Sequence, residues 1–372
     1  MERTDIDMIE SSIQTGQKNK RQSGFELLRI ISMLMIIAMH YMTKGMKIEK
    51  LSIDCSMTNV IYWIIYALCV SSVNAYVFIS GYFATDSKWN LKKLIRLWAQ
   101  VLSYSILVPL VMSAFGAFDL KGAPLSVKQQ IFLPVTYEHY WFATAYIMLY
   151  LISYVLNVAI SKLDKKSYKT VLLAMLAVFC GFKSIDPYLI PWDKYGNDMI
   201  WFIILYLIGG YIRTYGLPFT DNKTKKETAR FGLVTYAAFS LITFLIAYAF
   251  SFIVRSTGKL EYYMDMTYCY NYVTVLIASI GLFAVFANMD IGHRPWINKI
   301  AKYTFGVYLL HDNIVLREKW QHLLLIDAAQ GKWWQILHML ICIIIVFSVG
   351  CVIDLVRDGV FNAFAKTGRN RQ

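Results

Sequence analysis

Apolar runs long enough to cross a lipid bilayer recur along nearly the whole chain, and no other feature limits the fold as strongly. A helix needs roughly 18 to 25 residues to traverse about 30 Å of hydrocarbon. Within that layer every backbone N–H and C=O must find a partner inside the protein, which leaves only helices or a closed barrel. Continuous apolar runs, without alternation of period two, select helices. We read spans at roughly 25–44, 60–83, 92–117, 139–160, 169–185, 198–215, 231–254, 269–289, 303–323 and 334–357. The expected fold is all-α, a polytopic integral membrane bundle of about ten transmembrane helices. Composition agrees, because 16% of residues are charged and 57% hydrophobic, whereas soluble domains carry about a quarter charged residues. An ordinary soluble enzyme is excluded. No internal repeat, linker or long polar stretch marks a second folded unit. The expected division is a polar tail at 1–22, a membrane domain at 23–358 and a basic tail at 359–372.

The positive charge then orients the bundle. Ten spans put both termini on one side, and 24 of the 37 Lys and Arg fall on that side, 12 on the other, with Arg29 inside the first span. By the positive-inside rule both termini are cytoplasmic. The same distribution disposes of a nucleic-acid partner, because the formal net charge of +13 sits in short loops between spans and not on a soluble basic face. The first 22 residues include Lys18, Lys20 and Arg21 and no apolar segment for a signal peptidase, so a retained cytoplasmic tail is expected. The six cysteines form no C-x-x-C pair and mostly lie in apolar runs. They read as small buried hydrophobes, and no metal centre is expected. Cys55 and Cys269 fall near the outer side, and spacing leaves a disulfide between them open.

A charge inside a span costs at least a few kcal/mol, so it points to function. The first span carries Arg29 and His40. At about 100° and 1.5 Å per residue they differ by roughly 20° in azimuth and about 16 Å in depth. One face therefore bears both, with Glu26 three residues below Arg29 as its partner. Separately, Arg29 reads equally well as a side chain reaching to headgroups and His40 as a helix-end group. On a single stripe they suggest a polar path through the interior. An imidazole can take a proton from a sugar hydroxyl or accept an acyl group, which makes His40 the candidate base or acyl carrier. His311 ends another apolar run as a second candidate acid or base, with a backbone-bonded helix end as the plain alternative.

These segments resemble the membrane acyltransferase-3 family, which includes bacterial surface-polysaccharide O-acetyltransferases. The likeness rests on R-x10-H from Arg29 to His40, on Phe78-Ile79-Ser80-Gly81-Tyr82-Phe83, on Trp141-Phe142 leading to Tyr146, and on Phe305-Gly306-Val307-Tyr308-Leu309-Leu310-His311. They occur in order over about 23–355. The resemblance implies acyl transfer, most often of acetyl, from cytoplasmic acetyl-CoA to a polysaccharide or lipid-linked glycan beyond a bacterial plasma membrane. It also implies that the first-span histidine and arginine, here His40 and Arg29, are essential. Some relatives carry a further domain after the last span; for this chain the membrane domain is expected to complete transfer alone. Acyl-CoA is expected as a donor substrate and not as a tightly bound cofactor.

Coenzyme A phosphates need cations on the donor side, and Lys92, Lys93 and Arg96 open the third span there, although positive-inside anchoring explains them equally. No glycine-rich phosphate loop is present. For the acceptor we single out Glu138 and Trp141, with His139 and Tyr140 between them, and Ser80 and Tyr82 by their place in the motif. Tyr262, Tyr263, Tyr268, Tyr270 and Tyr272 crowd the loop before the eighth span, where an interfacial aromatic belt explains them as well. The competing class is a transporter or flippase of lipid-linked saccharide. Broken helices or paired half-repeats would favour it, and the sequence pattern contains neither.

Overall fold

In the computed structural model, residues 22–85, 88–186 and 193–369 are described. Almost all of the expected N-terminal tail, with Lys18, Lys20 and Arg21, lies outside them. The described chain is helical and contains no strand. Its helices are α1 (Ser23–His40), α2 (Met57–Cys69), α3 (Ser72–Ala84), α4 (Leu91–Ala114), α5 (Leu125–Phe132), α6 (Trp141–Ser161), α7 (Lys165–Leu176) and α8 (Met199–Tyr215). They continue as α9 (Lys225–Thr257), α10 (Glu261–Met266), α11 (Val273–Asn288), α12 (Pro295–Ala301), α13 (Thr304–His311), α14 (Lys319–Leu323), α15 (Ile326–Ala329) and α16 (Gln335–Arg369).

Among the described residues seven helical stretches are long and apolar enough to cross a membrane: Ser23–Gly45, Met57–Ala84, Leu91–Ala114, Trp141–Ser161, Lys165–Ile185, Lys225–Thr257 and Gln335–Ala363. Two shorter apolar helices, α8 and α11, accompany them. The protein is a polytopic helical membrane protein. Polar caps start several helices: the Asn90 side chain accepts from Lys92 N–H, that of Asp164 from Ser167 N–H, and Thr224 and Glu227 form a reciprocal capping box.

One expected span needs correction. Residues 303–323 are not a continuous helix, because α13 ends at His311 after eight residues, about 12 Å of rise. Apolar composition hid the break, so the expectation of unbroken helices, which counted against a transporter, does not hold here or between Cys69 and Ser72. Asn313 stabilises the turn that follows: its amide donates to Tyr140 Oη at 2.7 Å and to the Tyr104 carbonyl at 3.2 Å, and its oxygen accepts from Val315 N–H. Irregular backbone at membrane depth persists only where protein satisfies it in this way. The last helix also runs past the expected end at 357, to Arg369. All six cysteines are free, and Cys55 bonds the Leu51 carbonyl and the Arg255 guanidinium in place of a disulfide.

Small residues let the helices touch. A Cβ on Gly81 would lie 2.2 Å from the Tyr206 carbonyl oxygen, and one on Gly209 would lie 2.5 Å from that of Phe78. Thus α3 and α8 pack backbone to backbone, the close approach that small residues permit where lipid supplies no hydrophobic driving force. Gly232 and Gly281 do the same for α9 and α11. Between these pairs α1 is buried, and its Phe25, Leu28 and Ile37 are 2%, 0% and 0% exposed.

Candidate active site

Four residues of α1, at 29, 33, 36 and 40, follow the helical repeat and face a series of cavities. The first, of about 290 Å³, is lined by Arg29, Ser80, Lys93, Tyr146, Tyr150 and Tyr206 among others. The second, of about 30 Å³, is lined by Met33, Ile36, His40, Val73, Tyr76, Phe142 and Tyr308, with Trp141, Tyr270 and Phe305. A third, of about 520 Å³, shares Tyr270 with the second and opens beyond the end of α1. Helices α1, α3 and α6 each contribute to both of the first two, so the cavities succeed one another along the same helix faces. Arg29 borders one and His40 the next.

The His40 ring is oriented by a second histidine. His40 Nδ1 lies 3.0 Å from His311 Nε2, and His311 Nδ1 lies 2.7 Å from the Val307 carbonyl oxygen. A carbonyl can only accept, so the bond to Val307 places a proton on His311 Nδ1. In the neutral ring Nε2 is then an acceptor, and His40 must donate to it from Nδ1. That leaves His40 Nε2 with a free lone pair at the wall of the small cavity. Position and tautomer together suit a base or a nucleophile.

A buried ion pair braces these histidines. Immediately after His40 the helix widens into a π-turn over Tyr41–Gly45, a local insertion frequent at functional sites. It directs Lys44 to Asp312, with Nζ 2.5 Å from Oδ1. The side chain of Asp312 is 5% exposed. Residues 40 and 44 on one element thus grip 311 and 312 on the other. On the opposite side of α1, Tyr41 Oη meets His338 Nδ1 at 2.9 Å.

The other sequence candidates separate. Arg29 is held by Glu26 at 3.1 Å, as expected from their spacing. Ser80 borders the Arg29 cavity and bonds Tyr146 Oη at 3.0 Å, so it is not among the residues around His40. Tyr82 packs on Phe25 beneath the Arg213 guanidinium. Of the cationic trio only Lys93 lines the first cavity, while Lys92 and Arg96 are exposed beside it. The acceptor group splits too. Trp141 reaches the His40 cavity and stacks on Tyr270 at 5.7 Å, whereas Glu138 is exposed and paired with Lys194. His139 is buried: its Nδ1 meets the Gln130 carbonyl and Ser105, and its Nε2 accepts from Ile314 N–H.

Sequence reasoning passed over Lys44, Asp312 and Tyr76, and it named Tyr270 only as one of a group of interfacial tyrosines. Lys44 and Asp312 do leave a trace, since each is a charged residue within one helical turn of a span-end histidine. The motif glycines also gain a physical meaning. Gly81 admits the α8 backbone, and a Cβ on Gly306 would lie 2.2 Å from the Asp354 carboxyl carbon. That carboxylate accepts from Gln100, Tyr104 and Arg357.

A helical membrane bundle with a histidine poised at an internal cavity has the makings of a membrane-embedded enzyme. The model of an acyltransferase domain, that of acyltransferase family 3, matches residues 22–356. The chain belongs to this family and is a membrane acyltransferase. No curated protein and no solved structure matches it.

Proposed function

We propose that the protein transfers an acetyl group from cytoplasmic acetyl-CoA to a hydroxyl of an extracytoplasmic or lipid-linked polysaccharide, in a bacterial plasma membrane with both termini cytoplasmic. The observation that carries this reading is the free Nε2 of His40, with its Nδ1 held by His311 and Arg29 below it on the same face. Coenzyme A enters from the α1 N-terminal end, its phosphates near Lys93 with Lys92 and Arg96 alongside, and its thioester passes Arg29 toward His40. The acceptor arrives from the opposite end.

Transfer then runs as follows. His40 Nε2 takes the proton of the acceptor hydroxyl, whose oxygen attacks the thioester carbonyl carbon. The C–S bond breaks, the ester forms, and the imidazolium returns its proton to the leaving thiolate, giving free coenzyme A. His311 stabilises the transient imidazolium through the Nδ1–H bond. Arg29, as a fixed cation on the donor side, positions the donor and offsets its charge. The same geometry serves a two-step route in which Nε2 carries the acetyl group. The small volume at His40, about 30 Å³, favours a short acyl group such as acetyl over longer chains. It also weighs against a flippase, which must pass whole sugar rings.

The test is to compare surface glycan from a deletion strain and its parent by mass spectrometry, complementing with wild type and with Lys93→Gln. Loss of one acetyl mass per repeat on deletion, restored by wild type, is the expected result. An unchanged glycan would sink the acceptor assignment. In purified protein, Lys93→Gln should raise the KM for acetyl-CoA about threefold to tenfold, and Lys92→Gln less. Cysteines at Lys47 and Lys259 should label with an impermeant maleimide from outside, and one at Lys165 should not.

A further inference from the structure

The largest cavity of the series lies beyond His40, and the acyl-transfer reading leaves its shape unused. It measures about 520 Å³ and is walled by Ile48, Leu51, Trp63, Tyr66, Met264, Tyr268 and Tyr270, with Thr43, Lys50, Tyr195, Asn197 and Asp265 among its polar groups. Three of these rings pack on one another as a closed aromatic box whose outer faces line the cavity: Trp63 and Tyr66 stand 5.4 Å apart, Trp63 and Tyr268 4.8 Å, and Tyr66 and Tyr268 5.4 Å. The Trp63 indole N–H is already committed to the Glu49 carbonyl, which fixes the ring. The Tyr268 hydroxyl has no hydrogen-bond partner among the described residues. At the rim Lys50 bridges Asp265 at 2.6 Å and Glu261 at 3.0 Å. Its pKa is raised by the bond to Asp265 and then by that to Glu261.

These features specify a ligand. Aromatic faces in a wall that also carries fixed donors and acceptors suit a molecule with C–H faces and several hydroxyls. Of the charged groups that line the cavity, Lys50 and Asp265 neutralise each other, which among the described residues leaves no free cation to hold an anionic sugar. Tyr270 belongs to this cavity and to that of His40, so the two adjoin at its ring. We infer that the outer cavity is the acceptor subsite, in which an uncharged pyranose ring stacks against the cavity face of the Trp63–Tyr66–Tyr268 box with one hydroxyl presented past Tyr270 to His40. This rests on the acyl-transfer reading and adds the class of sugar and the residues that seat it. The rim salt bridges fix the loop before α2 to α10, and so hold the two sides of the box together.

The experiment uses inside-out membrane vesicles from the producing cells, supplied with radiolabelled acetyl-CoA, and counts label both in vesicle glycan and in free acetate released by water. In Trp63→Ala, glycan label should fall on the order of tenfold while acetate release and the KM for acetyl-CoA stay at wild-type values. Trp63→Phe should restore part of the glycan label, because a flat ring returns. Methyl β-glucoside enclosed in the vesicle lumen should compete for glycan labelling and enclosed methyl β-glucuronide should not. Wild-type glycan labelling in both Trp63→Ala and Tyr268→Ala overturns the inference, as does parallel loss of glycan and acetate label, which would tie the box to the chemistry or the fold. Stronger competition by the glucuronide overturns the uncharged ring. If wild-type vesicles release label into neither product, the acyl-transfer reading itself fails, and that failure is distinct from the others.

Discussion

His40 and His139 are both span-associated histidines held by hydrogen bonds, yet the protein leaves them in opposite chemical situations. Both nitrogens of His139 are occupied, by the Gln130 carbonyl and Ser105 on one side and Ile314 N–H on the other. His40 has one nitrogen tied to His311 and the other at a cavity wall. A histidine with two protein partners braces structure; one with a single partner and space beside the other nitrogen can exchange a proton with a ligand. The distinction lies in what surrounds each ring and not in residue type or depth.

The largest effect should come from His40→Ala, which should lower transfer by about 10³-fold or more while acetyl-CoA binding is retained, since the proposed phosphate site at Lys93 is far down the helix. Titration calorimetry beside a radiochemical transfer assay checks both halves. Near wild-type transfer by folded His40→Ala would end the assignment and make His311 the residue to examine. Next in size, His311→Ala frees His40 to rotate and to bear its proton on either nitrogen, and should cost roughly 10²-fold in kcat with little change in KM. An equal rise in KM would mean that His311 touches substrate.

Removing one half of the buried ion pair sharpens the comparison further. Lys44→Met leaves Asp312 buried without its partner, a loss of about 2 kcal/mol once the partial exposure of Lys44 is discounted. It should lower both thermal stability and kcat, and Lys44→Arg should recover most of the kcat. Equal kcat in Lys44→Met and wild type would separate the ion pair from the histidines. The smallest effect on chemistry belongs to His139→Ala. It leaves the Ile314 N–H and the Gln130 carbonyl without this partner, which should cost about 1–3 kcal/mol in stability. Activity per folded molecule should stay within about threefold of wild type. A hundredfold fall in kcat with unchanged melting would erase the contrast between the two histidines.

What the sequence made legible follows from the range of each signal. The helical repeat is local, so 100° per residue brought Arg29 and His40 to one face and paired Arg29 with Glu26 before any coordinates were needed. Apolar run length is also local, and it located the long spans. The same measure passed over the break after His311, because residues 303–323 contain enough apolar side chains to resemble one helix while Asn313 stabilises a turn through contacts with Tyr104 and Tyr140. Lys44 and Asp312 meet across 268 positions of chain, a separation at which periodicity carries no information. The tyrosines of 262–272 matched an interfacial belt in composition, and only the packing of Tyr268 against Trp63 and Tyr66 makes a box of part of that loop.

Cavities aligned from one end of a membrane bundle toward the other carry a danger, since a membrane under potential drives ions through any continuous wet path, at about 2.3 kcal/mol per charge per 100 mV. Here the wide chambers of about 290 and 520 Å³ are parted by one of about 30 Å³ lined by Met33, Ile36, Val73 and Phe142. Such a waist works as electrical insulation. It lets two wide chambers approach within the reach of a single imidazole while leaving only a narrow passage between them. A carrier must open alternately to each side; a waist that only an acyl group need pass can stay narrow throughout the cycle.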